Sequence, residues 1–233
     1  MKGMDGMKIK EVFAVIVVFA LVFSLRASLS RADEGLGILP TWTAENFYPS
    51  DYRGKPLPSI ETLVAVSVEI TKDGKIIDAA DTNIRWYIDE KFHKEGNGLK
   101  EVVFYASKWA GDSHFIRIEA KKGGVSASKI IEIPVAPKEA VIESSAGRSA
   151  PANSSVVFSA TPYFFNVRSI SDLDISWKIQ RREIPGEKKS TLFVQFGTPE
   201  NASQGEARIS VAVREKNNAF QKAAGDFLIN IGQ

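Results

Sequence analysis

The sequence predicts an all-β chain, two tandem β-sandwich domains behind an N-terminal signal peptide or signal-anchor helix. Three observations carry that expectation. From Leu63 to the C-terminus, short segments of alternating apolar and polar residues recur, each the length of one strand with a core face and a water face. No segment holds a capped i, i+3, i+4, i+7 apolar stripe of the kind a packed helix needs. The motif I-x-W-x-I occurs twice, centred on Trp86 and Trp177, 91 residues apart, which is the size of one small sandwich.

The leader comes first. Residues 12–25, VFAVIVVFALVFSL, are an uncharged apolar run behind Lys8 and Lys10. They are short for a membrane span, which takes about 20 residues, and fit the apolar region of a secretory signal. Cleavage after Ala32 releases the rest of the chain; retention anchors it in the membrane through residues 12–25. Either way the C-terminal part is exported to the cell surface, the periplasm or the extracellular space. The whole chain has 30 Lys and Arg against 28 Asp and Glu. Residues 1–32 hold five of the former and two of the latter, so residues 33–233 carry 25 against 26. The basic excess belongs to the leader, and nucleic acid is not expected as a partner. With no Cys and all three Met in the first seven residues, the exported part is free of sulfur.

Residues 33–59 read as a proline- and aromatic-rich lead-in containing Pro40, Pro49, Pro56 and Pro58. Proline fixes φ and lacks a donor, so no regular helix or central strand is expected there. Residues 60–137 form the first sandwich. Its strands are LVAVSVEI (63–70), NIRWYID (83–89), KEVVFYA (100–106), HFIRIEA (114–120) and SKIIEIPV (128–135), with Asp73-Gly74 as a two-residue hairpin turn. Pro134 and Pro137 bracket a break. Residues 138–233 form the second, with strands at 139–144, 154–165, 174–180, 190–196, 206–213 and 224–231.

The duplication extends beyond the tryptophans. Each has an Asp five residues upstream, Asp81 and Asp172, and each is followed by a polar turn, an apolar strand, and a glycine with an acid that leads an alternating strand. Isoleucines two residues either side put three large side chains on one strand face, so Trp86 and Trp177 are assigned to the two cores. This order resembles bacterial immunoglobulin-like domains, in particular the PKD-like families of exported proteins, over residues 60–233. The resemblance implies tandem immunoglobulin-like sandwiches, and the missing inter-sheet disulfide departs from antibody-type domains.

Catalytic chemistry is thin. His93 and His114 stand in no metal spacing and are expected as surface or hairpin residues; no nucleophile elbow, P-loop or dinucleotide motif is present. Asp81 and Asp172 are candidates for hydrogen bonds beside the core tryptophans, or for Ca2+ at a domain junction. No catalytic residue, metal or cofactor is assigned. Aromatics outside the strands are the binding candidates: Trp109 in the loop ASKWAGD, with Trp42 or Tyr52 of the lead-in. Against that stands a lead-in folded back over the first sandwich. Tyr163, Phe164 and Phe165 alternate faces, so one of them is expected exposed or at a domain interface.

The function expected is therefore a non-catalytic exported or membrane-anchored surface protein, an adhesive or spacer module facing a cell-envelope protein or polysaccharide. The alternatives are a carbohydrate-binding module using the loop aromatics, or a periplasmic chaperone-like protein.

Overall fold

Alternating side chains turn each long strand into a wall with one dry face, and two such walls closed on each other make a core. The computed structural model describes residues 35–186, 189–197 and 205–232. The leader, with its signal or anchor reading, lies outside the described residues. Among those described, no helix is long and apolar enough to cross a membrane, and one 3-10 turn, Ile170–Asp172, is the only helical element.

The first unit contains β1 (Leu36–Glu45), β2 (Leu63–Lys72), β3 (Lys75–Ile76), β4 (Asn83–Ile88), β5 (Lys91–Asn97), β6 (Glu101–Tyr105), β7 (Ser113–Lys122) and β8 (Val125–Pro134). In one sheet β2 lies between β1 and the pair β3 and β6; the facing sheet runs β5-β4-β7-β8. The second unit contains β9 (Glu139–Ser144), β10 (Ser149–Pro151), β11 (Ser155–Tyr163), β12 (Leu173–Ile179), β13 (Arg182–Glu183), β14 (Thr191–Gln195), β15 (Gly205–Glu215) and β16 (Lys222–Gly232). Its sheets run β14-β11-β9 and β10-β16-β15-β12-β13, with β10 parallel to β16 and the rest antiparallel. Both units thus have the immunoglobulin-like order: in one sheet β2 lies between β1 and β6, as β11 lies between β9 and β14, and in the other β7 lies between β4 and β8, as β15 lies between β12 and β16. The second unit closes where Gly225 of β16 passes against the backbone of Ala140 in β9, leaving no room for a Cβ.

The two cores repeat one another in detail. Trp86 and Trp177 are fully buried. Each indole Nε1 donates to a main-chain carbonyl two residues before the strand that crosses to the other sheet, Leu99 before β6 and Lys189 before β14, both at 2.9 Å. Each tryptophan strand ends in a two-residue hairpin without glycine. Asp89-Glu90 has φ of 49° and 66°, Gln180-Arg181 48° and 70°. Turns of this type need positive φ at both centres, a conformation that costs non-glycine residues of order 1 kcal/mol each. Asp73 and Gly74 make a third such turn between β2 and β3.

Three features depart from the sequence expectations. Residues 36–45 are not an irregular lead-in but β1, paired along its whole length with β2. Leu36, Ile38, Trp42 and Ala44 point into the core, and Pro40 is tolerated because β1 hydrogen-bonds on one side only. β5 was not foreseen, since KFHKEGN has no alternation: as an edge strand its side chains face no core. Third, Phe164 has φ of 62°, which ends the alternation of β11, so that Phe164 and Phe165 are both buried.

Candidate functional site: the interdomain junction

The two sandwiches are joined by four residues, 135–138. Such a linker leaves domain motion as the default unless other contacts remove it. Here the linker itself is held. Val135 and Ala136 are buried, the Ala136 N–H donates to the carbonyl of Pro58 (2.8 Å), and Val135 exchanges bonds with Gly111 and Asp112. Burial pushes the Lys138 ammonium below its ordinary value, opposed by the carboxylates of Glu61 and Glu215.

The second contact is an excursion of the chain between β1 and β2. Instead of turning directly, residues 46–62 cross to the second sandwich and return. Phe47 forms a two-bond antiparallel bridge with domain two: its N–H donates to Phe165 O, and Phe164 N–H donates to its own carbonyl, both at 2.7 Å. Its ring packs on the core of that domain. Tyr52 lies between Tyr48, Tyr163 and Phe164, with ring centroids 5.7–6.0 Å apart.

A polar web completes the joint. Ser59 and Thr62, 1% and 0% exposed, close a turn in which the Thr62 N–H donates to Ser59 O and Thr62 Oγ1 accepts from Ser59 N. Thr62 Oγ1 then donates to Asn166 Oδ1 (2.5 Å), Asn166 Nδ2 donates to Ile60 O (2.9 Å), and Ser59 Oγ donates to Phe164 O (2.8 Å). Every polar group of the Asn166 amide oxygen and nitrogen thus has a partner across the joint. Glu61, third in the turn, takes φ of 69°, where glycine is favoured. That strain holds its carboxylate against Gln221 Nε2 of domain two (3.1 Å) and its N–H against Ala106 O (2.6 Å).

The loop that receives Glu61, residues 106–112, is pinned from beneath by a charged node. Asp89 Oδ2 accepts from His114 Nδ1 (2.6 Å), while Oδ1 accepts from Phe115 N (3.0 Å) and Lys108 Nζ (2.9 Å). His114 Nε2 accepts from Ser107 N–H (3.1 Å), so the imidazole is neutral with its proton on Nδ1. With both nitrogens engaged, it has no free lone pair for general-base work. His114 is 1% exposed, not the surface or hairpin residue expected, because its ring fills the core edge against Phe104. Burial alone raises the Asp89 carboxyl, but the bonds from Lys108, Phe115 and His114 outweigh it and hold the group below its ordinary 3.8. A depressed carboxylate stabilises the fold above its unfolded value and loses that contribution as pH falls through the folded one. Asp89→Asn is therefore expected to cost about 2 kcal/mol at pH 7, the scale of a hydrogen bond to a charged group. The cost shrinks below pH 3.8; urea titrations at pH 7 and pH 3 check it, and an equal loss at both contradicts it.

The residues singled out from the sequence separate. Trp42 is 8% exposed in the first core, with Lys55 Nζ 3.8 Å from its ring centroid. Tyr52 belongs to the junction. Trp109 is 72% exposed on the 106–112 loop and enters no ring pair among the described residues. The structure does not bring the three together as one platform. Asp172 closes the 3-10 turn, its carbonyl accepting from Lys216 N (3.0 Å), and Asp81 is exposed. Ser59, Thr62, Glu61 and Asn166 were not singled out from the sequence; S-x-x-T is their only local signal.

No protein-family model matches the sequence, and no curated protein matches it. Solved structures similar to the chain include the three N-terminal domains of the highly immunogenic outer capsid protein of bacteriophage RB49, with TM-score 0.46 and 10% identity over 84% of this chain. Fibronectin(III)-like modules of Clostridium thermocellum CbhA give 0.31 and 12% over 83% of this chain and 95% of theirs. The four N-terminal Ig domains of Dscam1 isoform 8.4 give 0.34 and 14%, over 84% of this chain and 47% of theirs. The chain spans 59% of the length of the phage structure. Its own strand order makes it a tandem of immunoglobulin-like sandwiches.

Proposed function

We propose that the protein is a non-catalytic, exported spacer of the cell envelope, a rigid two-domain rod of bacterial PKD-like type that stands off the membrane from its N-terminal segment. The observation that carries this reading is the path of the chain. Leu36 pairs with Lys72 at the end of domain one away from the junction, and Ile231 pairs with Gly205 at the far end of domain two. The chain enters at one pole and leaves at the other, and the joint between is bolted by residues 46–62. Ten-residue strands are about 33 Å long, so two sandwiches in line span roughly 70 Å. Its partners, in this reading, are a cell-envelope protein or polysaccharide, and the membrane where residues 12–25 are retained.

The test is topological. Protease treatment of intact spheroplasts of the producing cell is expected to degrade the two sandwiches, and sequencing of the mature N-terminus distinguishes cleavage after Ala32 from retention. Full protection from protease with the chain in the cytosolic fraction overturns the proposal.

A further inference from the structure

The duplicated domain is an internal control. Positions that serve only folding need the same chemistry in both units, and positions that differ sharply on the same surface point to something else. On the outer face of β5-β4-β7-β8, one row across the sheet reads Phe92, Tyr87, Arg117, Ile130 by strand register. The corresponding row of domain two reads Glu183, Lys178, Ser210, Asp226. Domain two folds with four polar residues there; domain one exposes Phe92 by 60%, Ile130 by 58% and neighbouring Phe115 by 47%. Arg117 stacks on Tyr87, 3.6 Å from the ring centroid, and Phe92 meets the same ring edge-on. Tyrosine, arginine and phenylalanine ringed by polar residues are the composition of an interface centre.

We infer that this face of domain one binds a second copy of the same chain about a two-fold axis lying across the strands, between the row of Arg117 and the row of Glu119. Charge identifies the occupant. The face sets Arg85, Arg117 and Lys121 against Glu95, Glu119 and Glu132, so neither a polyanion nor a polycation gains by covering it. The outward side chains of β7 run Phe115, Arg117, Glu119, Lys121. The axis turns this order on itself, setting Arg117 against the other copy's Glu119 and Lys121 against the other copy's Phe115. In β4 it sets Tyr87 against the other copy's Arg85, a cation–π pair. Such an isologous contact is self-complementary. Area agrees: strands of 7, 6, 10 and 10 residues, at about 3.3 Å per residue and about 4.8 Å apart, give roughly 520 Å2 per copy, or roughly 1,050 Å2 in all, just above the roughly 1,000 Å2 that a specific interface needs.

This deepens the spacer reading by naming a partner, yet does not depend on export: a monomeric chain in solution would leave the protease test untouched. The experiment is sedimentation equilibrium of the full chain in mild detergent at up to about 100 µM, above the micromolar dissociation constants of weak interfaces this size. A monomer–dimer equilibrium is expected. Ile130→Asp, which copies the residue domain two already carries, weakens it about tenfold or more, as does Glu119→Lys. Arg117→Glu combined with Glu119→Lys restores association, because the pair reverses across the axis. Near-ultraviolet circular dichroism from the buried tryptophans confirms that each variant is folded. A monomeric wild type, association unmoved by Ile130→Asp and Glu119→Lys, or a double variant no tighter than Glu119→Lys, overturns the proposal.

Discussion

Trp177→Ala is expected to cost domain two about 3–5 kcal/mol, and Trp86→Ala to cost domain one a similar amount, the range for a large aromatic deleted from a packed core. Each tryptophan is fully buried among isoleucines and valines of the facing sheet, so the cavity cannot collapse without moving strands. Each truncation also strands a carbonyl, Lys189 or Leu99, that loses its indole donor. A loss of this size is a large part of the 5–15 kcal/mol that holds a typical domain. Trp→Phe separates the two contributions. It keeps most of the volume and loses the hydrogen bond, so about 1–3 kcal/mol is expected for the unpaired carbonyl and residual void together. Urea denaturation of the four variants measures these losses. Because the two sites are built alike, the costs should match between domains within a factor of two; a core tryptophan whose removal costs under about 1 kcal/mol contradicts the packing described.

Asn166→Ala is expected to have the second largest effect, and on coupling more than on either core. The side chain accepts from Thr62 and donates to Ile60 O, so its loss leaves the buried Thr62 hydroxyl, which still accepts from Ser59 N, without its acceptor across the joint, and the part-buried Ile60 carbonyl without its donor. Each buried polar group left unsatisfied costs about 1–3 kcal/mol, giving roughly 2–5 kcal/mol of joint stability. Thr62→Val removes the bond to Asn166 Oδ1 together with the one accepted from Ser59 N, and should uncouple the domains less, because Asn166 keeps its bond to Ile60 across the joint. The signature is a split: the wild type unfolds in one transition and Asn166→Ala in two, because the domains no longer support each other. A single transition shifted as a whole would mean that Asn166 acts on domain stability alone.

How much of this was legible beforehand depended on where each contact is made. Trp86, Trp177 and the alternating strands around them are local patterns, and nearly every strand expected from Leu63 onward is present within three residues of its expected ends. β1 was hidden by one residue. L-x-I-x-P-x-W-x-A already alternates, but Pro40 excludes a central strand, and only the sheet order shows that β1 lies at an edge. The fold-back of the lead-in, weighed against a ligand site, accounts for the burial of Trp42. The joint was illegible for a different reason: Ser59, Thr62 and Asn166 are small polar residues in loops, Asn166 lies more than 100 positions from the other two, and no local period links them. Likewise the aromatic row of domain one becomes visible only once register places Phe92, Tyr87, Arg117 and Ile130 side by side. His114 was misjudged because a histidine beside a strand gives no sign of the carboxylate, 25 residues upstream, that satisfies it.

The central claim is a fixed joint, and the absence of cysteine makes it directly measurable. Lys75→Cys at the start of β3, beside the β2–β3 turn, and Ala146→Cys in the turn beyond β9 place two spin labels at exposed positions at opposite poles of the rod. Pulsed dipolar spectroscopy of the doubly labelled chain, diluted with unlabelled chain, is predicted to give one narrow distance distribution that broadens on Asn166→Ala. A broad distribution in the otherwise unaltered chain, or one that Asn166→Ala leaves unchanged, would contradict it.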